Sequence, residues 1–329
     1  MKALLPLALV AALSACSPVY VAKAAAGHAR LLWHSRSLAG ALRDERVPEP
    51  IKAKLRLVGE VREFAFSRMG LQRTRDYAKY SPVPGPVAYV VSACPFTRLK
   101  PYQWWFPVVG KVPYKGYFYE ADAVREMRRM QARGYDARVG AASAYNTPLW
   151  FSDPIPSAVL YYSDGRLAEL IIHELTHAAV WFKGRTDFNE SLATFVGEAG
   201  ARAFITRRFG ADSAQMEEYR LDLAREQELG AAMDEIYSRL DALYRRPDSD
   251  DDKMAQREEV FVWGRKRLAD IGQPLDEPLN NASVLAYRLY HHDLAAFRGL
   301  YERNGRDWPK TLAAFKALDR RDPYAALTR

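Results

Sequence analysis

Ile171-Ile172-His173-Glu174-Leu175-Thr176-His177, followed by Asp187-Phe188-Asn189-Glu190-Ser191-Leu192-Ala193-Thr194, is the stretch from which the rest of the chain is read. His173 and His177 stand four apart in an apolar helical pattern, so they share a face and their imidazoles can converge on one ion. Glu174, one residue along, points beside that ion, where it can take a proton from metal-bound water. Neutral imidazoles suit zinc, which lowers the pKa of bound water toward ~7 and makes a nucleophile at neutral pH. Ile172, Leu175, Ala178, Ala179 and Val180 are uncharged, as befits a buried helix lining a cleft. The bland alternative is a pair of core histidines making polar contacts. It is costly, because Glu174 would be buried between them.

Two imidazoles need a third protein ligand. Helical periodicity extends over 164–182 and again over 187–209, with a turn through Lys183, Gly184 and Arg185. In an antiparallel pair the first helix runs ~7.5 Å past His177, and Glu190 lies ~4.5 Å back along the second, so Glu190 can reach the metal. A capping box with Asp187 as N-cap competes for Glu190. Glu198 is the reserve ligand, at a less favourable angle on the helix. Ala193, Thr194 and Gly197 are small enough for the helices to pack closely.

Around this core the 329 residues can form one elaborate domain or two smaller ones, with 49% hydrophobic and 27% charged residues. The net charge of +8 is spread along the chain. That fits a solvated surface or loose attraction to anionic lipid or cell-wall polymer, and argues against nucleic-acid binding, which wants a concentrated basic face. Residues 1–15 combine Lys2, an apolar run and small residues at 14 and 15, as a secretory signal does. Leu13-Ser14-Ala15-Cys16 resembles the bacterial lipobox, which implies lipid on Cys16 and attachment to a membrane. Ser17, rather than Asp, follows it, which favours an outer-membrane anchor facing the periplasm. Cys94 then remains alone in an apolar stretch, as a buried small side chain without a base to activate it.

The expected organisation is a helical segment over 16–80 and a peptidase-like domain over 81–329. In the latter a small sheet within 83–162 precedes the metal helices at 164–209 and a helical part at 213–329. Strands are expected near 87–92, 137–145 and 157–162, and a helix over 120–133 stopped by Gly134. Asp248, Asp250, Asp251 and Asp252 lack the spacing and glycine of a calcium loop and read as a solvated helix start. The fold class is α+β, predominantly α-helical, with a small β-sheet beside a helical body.

His-Glu-Leu-Thr-His with Asn189-Glu190 on the next helix resembles the gluzincin metallopeptidases, which carry His-Glu-x-x-His and a downstream Glu ligand. The metzincin pattern would need Gly at 180 and His at 183, where Val180 and Lys183 stand. Thr194 stands where thermolysin-like enzymes place an Asp that orients a metal-bound His. Trp104-Trp105-Phe106-Pro107, Tyr114-Lys115-Gly116-Tyr117-Phe118, Ala144-Tyr145, Trp150-Phe151-Ser152-Asp153-Pro154 and Phe188-Asn189-Glu190-Ser191 look like recurring stretches of bacterial proteins described as predicted aminopeptidases. That likeness covers most of the chain and implies a zinc aminopeptidase acting on peptides. The chain departs from it at Asn146, Pro148 and Leu149.

Such chemistry needs a donor for the oxyanion on the scissile carbonyl. Tyr290 and His291, with His292 beside them, are the first candidates; Tyr114 and Tyr117 are the alternatives. Residues 141–146 form an edge strand that could pair with an extended peptide, or an interior one. Glu120, Asp122, Asp153 and Glu198 are candidates to hold a free α-amine. The rival class is a non-catalytic zinc-containing envelope lipoprotein that acts as a binding module. An endopeptidase or a cell-wall amidase would share the same metal chemistry.

Overall fold

The computed structural model describes residues 18–83, 85–106, 110–142, 152–275, 277–288 and 294–327. In chain order the helices are α1 (Pro18–Trp33), α2 (Leu38–Arg43), α3 (Glu49–Phe64), α4 (Glu120–Gln131), α5 (Asp164–Ala179), α6 (Thr186–Phe209), α7 (Ala214–Tyr244), α8 (Asp250–Asp270), α9 (Asn281–Arg288), α10 (Leu294–Arg303), α11 (Trp308–Lys316) and α12 (Pro323–Leu327). The strands are β1 (Arg36–Ser37), β2 (Lys79–Ser81), β3 (Ala88–Pro95), β4 (Trp104–Phe106), β5 (Gly110–Val112), β6 (Tyr114–Tyr117), β7 (Tyr135–Ala142) and β8 (Ile155–Pro156). The protein is α+β and predominantly helical, as expected. No described helix is long and apolar enough to cross a membrane.

The helix pair α5–α6 is the centre of the molecule. Ser163 caps α5 by accepting a hydrogen bond from the Arg166 amide, which satisfies one of the donors that a helix start leaves open. Ile171, Ile172 and Leu175 of α5, Phe188, Leu192, Phe195 and Val196 of α6, and Leu55, Val58 and Val61 of α3 are buried in one apolar cluster. Phe297, Trp308, Leu312 and Phe315 close the same cluster from the C-terminal helices. Each such side chain contributes about 1.5–3 kcal/mol on burial. Gly197 sets how closely α5 and α6 approach. A Cβ there would stand 2.9 Å from the Glu169 carbonyl oxygen and 3.2 Å from the His173 Cβ.

Two smaller bodies flank this centre. Helices α7 and α8 share a cluster built from Ala232, Ile236, Leu240, Phe261 and Leu268, which Val284 of α9 joins. A three-stranded antiparallel sheet of order β6-β3-β7 packs Val91, Ala93 and Ala137 on Ala123 and Met130 of α4. A buried Arg257–Asp136 ion pair and the Asn281 amide, which donates to the carbonyls of Pro95 and Phe96, tie α8 and α9 to that sheet.

The structure departs from expectation in three places. The segment read as helical over 16–80 also contains β1 and β2; β2 pairs antiparallel with β1 and parallel with β8. The strand expected near 157–162 is a 3-10 turn, Ser157–Tyr161, and only Ile155–Pro156 pairs in a sheet. Pro156 has no amide hydrogen, so the ladder cannot be carried onward through it. Third, α5 ends two residues after His177, not five, because Val180 turns to extended backbone. The acidic run forms the first turn of α8, where Ser249 is the N-cap, in keeping with the helix dipole.

Candidate metal centre

Helix α5 carries His173 and His177 one turn apart, and α6 brings Glu190 opposite them. The turn between the helices is fixed by Asn189, whose side-chain oxygen accepts from the Phe182 amide while its NH2 donates to the Phe182 carbonyl, both at 2.8 Å. Gly184 takes the left-handed conformation, φ +75°, that this reversal needs. Helix α6 begins at Thr186, with Arg185 at the capping position and no side-chain cap. Asp187 is therefore inside the first turn, and the capping box that competed for Glu190 does not form.

The three side chains meet. Nε2 of His173 is 3.5 Å and Nε2 of His177 is 3.6 Å from one carboxylate oxygen of Glu190, and the two Nε2 atoms are 3.2 Å apart. Ligands at about 2.0–2.1 Å from a tetrahedral zinc stand about 3.3 Å from one another. The spacing thus matches three corners of such a tetrahedron, and the His-His-Glu group can hold a metal. Among the described residues it is the one cluster of three or more His, Cys, Asp and Glu side chains with that capability. Glu198 is not part of it; its carboxylate faces Arg202 and Arg298 at 3.8 and 3.7 Å.

Burial and charge act against each other here. Desolvation opposes ionisation of Glu190, yet the imidazoles of His177 and His173 outweigh it and hold the carboxyl down at about 2. Burial pushes the Glu174 carboxyl up; the two imidazoles oppose this, and Glu190 and Asp153 add to it. Burial lowers the affinity of His177 for a proton, but Glu190 reverses that and raises it. His177 Nδ1 is buried and has no hydrogen-bond partner among the described residues. Its ring instead meets Trp181 edge-on, with centroids 5.8 Å apart. The carboxylate that usually orients a metal-bound imidazole is absent from that nitrogen, in keeping with Thr194 where an Asp was looked for.

His173 and Glu174 line a cavity of about 830 Å³. One wall is α5, and the other is formed by β3, β6 and β7 with Ala282, Leu285, Ala286 and Tyr287 of α9. Strand β7 is at the edge of its sheet, and Arg138, Gly140, Ala141 and Ala142 border the cavity. Residues 143–146 of the proposed peptide-pairing strand lie outside the described residues, as do Asn146, Pro148 and Leu149.

Sequence reasoning missed part of this lining. The carboxylates bordering the cavity besides Glu174 are Glu169, Asp187 and Glu226, and Glu120, Asp122, Asp153 and Glu198 do not border it. Glu120 is exposed on α4. Asp122 pairs with Lys23 at 2.8 Å beside a separate cavity of about 790 Å³. Asp153 is buried 3.9 Å from His28. Glu169 was findable, since it lies four residues before His173 on the same face. It accepts hydrogen bonds from Tyr219 at 2.7 Å and from Arg166 at 3.1 Å, and Arg166 also pairs with Glu226. Burial pushes its carboxyl up to about 7 against the pull of Arg166, with Glu226 and Glu198 adding to the rise.

Tyr114 borders the metal cavity, whereas Tyr117 borders the second one. Tyr290, His291 and His292 lie outside the described residues, as does Cys16. Cys94 is buried and donates to the Arg98 carbonyl at 3.0 Å, and burial lifts its thiol to about 12, so it is inert.

Comparison with known proteins leads to one family. The family described as "Putative aminopeptidase" matches residues 19–326, nearly the whole described chain, and the chain belongs to it. No curated protein matches, and no solved structure does.

Proposed function

We propose that this member of the aminopeptidase family is a zinc-dependent peptidase of gluzincin type. His173, His177 and Glu190 hold the metal, and Glu174 is the general base. The observation that carries the reading is the triangle of donor atoms at 3.2, 3.5 and 3.6 Å beside a buried Glu174 on a cavity wall. Zinc held there would supply Lewis-acid polarisation and a water of lowered pKa. Glu174 takes the proton of the attacking water and later gives it to the departing amine.

The substrate is an extended peptide. The edge of β7 that no described strand pairs offers backbone groups to a peptide, and Gly140 and Ala142 keep the adjoining floor low. A free α-amine would be met by Glu169 and Glu226, two carboxylates that share Arg166. This arrangement supports amino-terminal cleavage, which the family description suggests. Lipid on Cys16 would hold the enzyme at the cell envelope, on the periplasmic side of an outer membrane. Mass spectrometry of the mature amino terminus tests that anchor.

The test of function is zinc content and cleavage of a peptide library, wild type beside Glu174→Gln. Expected are about one zinc in each protein and a kcat loss of about 10²–10⁴-fold in the variant. Zinc without hydrolysis in the wild type would leave a non-catalytic binding module. Equal cleavage of substrates with blocked and free amino termini would make it an endopeptidase or an amidase.

A further inference from the structure

The register of the β6-β3-β7 sheet decides what its strands show to the metal. Ser92 pairs with Tyr114 on β6 and with Arg138 on β7, and Val90 pairs with Gly140. Side chains alternate between the faces of a strand, and directly paired residues share a face. Tyr114, Ser92, Val90, Arg138 and Gly140 therefore stand on one face, and all of them border the cavity that holds His173 and Glu174. Val91, Ala137 and Val139 stand on the other face and pack in the cluster that includes α4. Tyr114 is the aromatic side chain of the cleft-facing row.

Four other donors around the cavity, Arg138, Arg166, Tyr287 and Arg185, are committed elsewhere, and Lys111 lies exposed at its rim. Arg138 donates to Glu277 at 2.7 Å, and Arg166 is shared by Glu169 and Glu226. The Tyr287 hydroxyl donates to the Glu226 carbonyl at 3.0 Å, and Arg185 donates to the Arg321 carbonyl. The Tyr114 hydroxyl has no hydrogen-bond partner among the described residues. Burial, then Glu190 and Glu174, push its proton affinity far above neutrality. A phenol is protonated at neutral pH in any case and so can donate, and it is within electrostatic reach of both Glu190 and Glu174.

We propose that Tyr114 is a catalytic residue, the hydrogen-bond donor to the oxygen of the scissile carbonyl as its carbon becomes tetrahedral. The assignment rests on the peptidase reading above. Water oxygen forms the new C–O bond, Glu174 takes the proton, and the carbonyl π pair moves onto the oxygen that Tyr114 holds. Collapse re-forms the carbonyl and breaks the C–N bond, and the proton on Glu174 goes to the leaving nitrogen. Tyr114 keeps its own proton throughout.

The test is Tyr114→Phe in the zinc-loaded protein, with Tyr290→Phe and His291→Ala beside it. Because a phenyl ring keeps the packing, zinc content and melting temperature should hold. Removal of one oxyanion donor lowers kcat by about 10²–10³-fold, with KM changed less than about twofold. Calorimetry with a phosphinic dipeptide, which mimics the tetrahedral carbon, should show a comparable loss of affinity, whereas binding of the substrate-like dipeptide to the Glu174→Gln background should not change. Unchanged kcat and analogue affinity in Tyr114→Phe, or the loss appearing instead in Tyr290→Phe or His291→Ala, overturns the assignment alone. A wild type that binds zinc yet neither cleaves peptides nor binds the analogue overturns the peptidase reading and this role with it.

Discussion

The two walls of the metal cleft are built by different means. The helix wall, α5 and α6, places its functional groups by local periodicity: His173, Glu174 and His177 share one turn, and Glu190 follows within the next helix. The sheet wall brings together Ser92, Tyr114 and Arg138, residues far apart in the chain that meet only through strand register. On the helix wall, then, chemistry is a property of spacing. On the sheet wall it is a property of pairing, which a one-residue slip would turn to the opposite face.

The largest expected effect falls on the helix wall. Glu190→Ala removes one of the three proposed protein ligands, a larger loss than the about 10–100-fold that follows removal of an outer-shell partner, so zinc affinity should fall about 10³-fold. Glu198→Ala should leave it unchanged. Competition with a chelator measures both. If Glu198→Ala releases zinc and Glu190→Ala does not, the helix wall is not read correctly by its spacing.

A smaller effect concerns Glu169, where the helix wall meets α7. Its carboxyl titrates at about 7 in the folded protein, against an ordinary value of 4.5. The folded state therefore holds this proton more tightly than the unfolded chain does. Stability from this group is full below pH 4.5 and declines as pH rises toward 7, by on the order of 3 kcal/mol. Glu169→Gln should flatten the dependence between pH 5 and pH 8. Urea denaturation at the two pH values decides it, and parallel curves for wild type and variant would mean that Glu169 keeps its charge throughout.

The smallest effect sharpens the view of the sheet wall. At Gly140 the nearest atoms to a new Cβ are those of the Arg138 guanidinium, at 3.1 Å, which pairs with Glu277 and would have to shift by a few tenths of an ångström. Gly140→Val should preserve the fold, since valine suits a strand better than glycine by up to ~1 kcal/mol, while it narrows the floor beside the β7 edge. KM for peptides should rise about tenfold, a loss of about 1.4 kcal/mol of binding, with zinc content unchanged. Steady-state kinetics that show no change in KM would remove β7 from the substrate path.

Much of the site was legible because its candidate ligands obey a helical period. The same period contained Glu169, one turn before His173, although the acids proposed to hold an α-amine were Glu120, Asp122, Asp153 and Glu198. The clamp by Asn189 was hidden for another reason: its partner is the backbone of Phe182, which carries no signature in side-chain identity. The boundary of α5 was misjudged because the apolar pattern continues through Val180 and Phe182, although both are buried by tertiary contacts outside the helix.

By itself, then, the sequence determined the helical body and placed the two imidazoles and the proposed base on one helix, because i and i+4 positions face one way whatever the rest of the chain does. It named Glu190 and left Tyr114 among the alternatives. Tertiary structure brought Glu190 rather than Glu198 against the two imidazoles, through the turn that Asn189 clamps and the contact at Gly197. It also decided which strand residues face the cavity beside His173 and Glu174. Ligand distance and strand register depend on how whole elements dock, and local propensity carries no information about that.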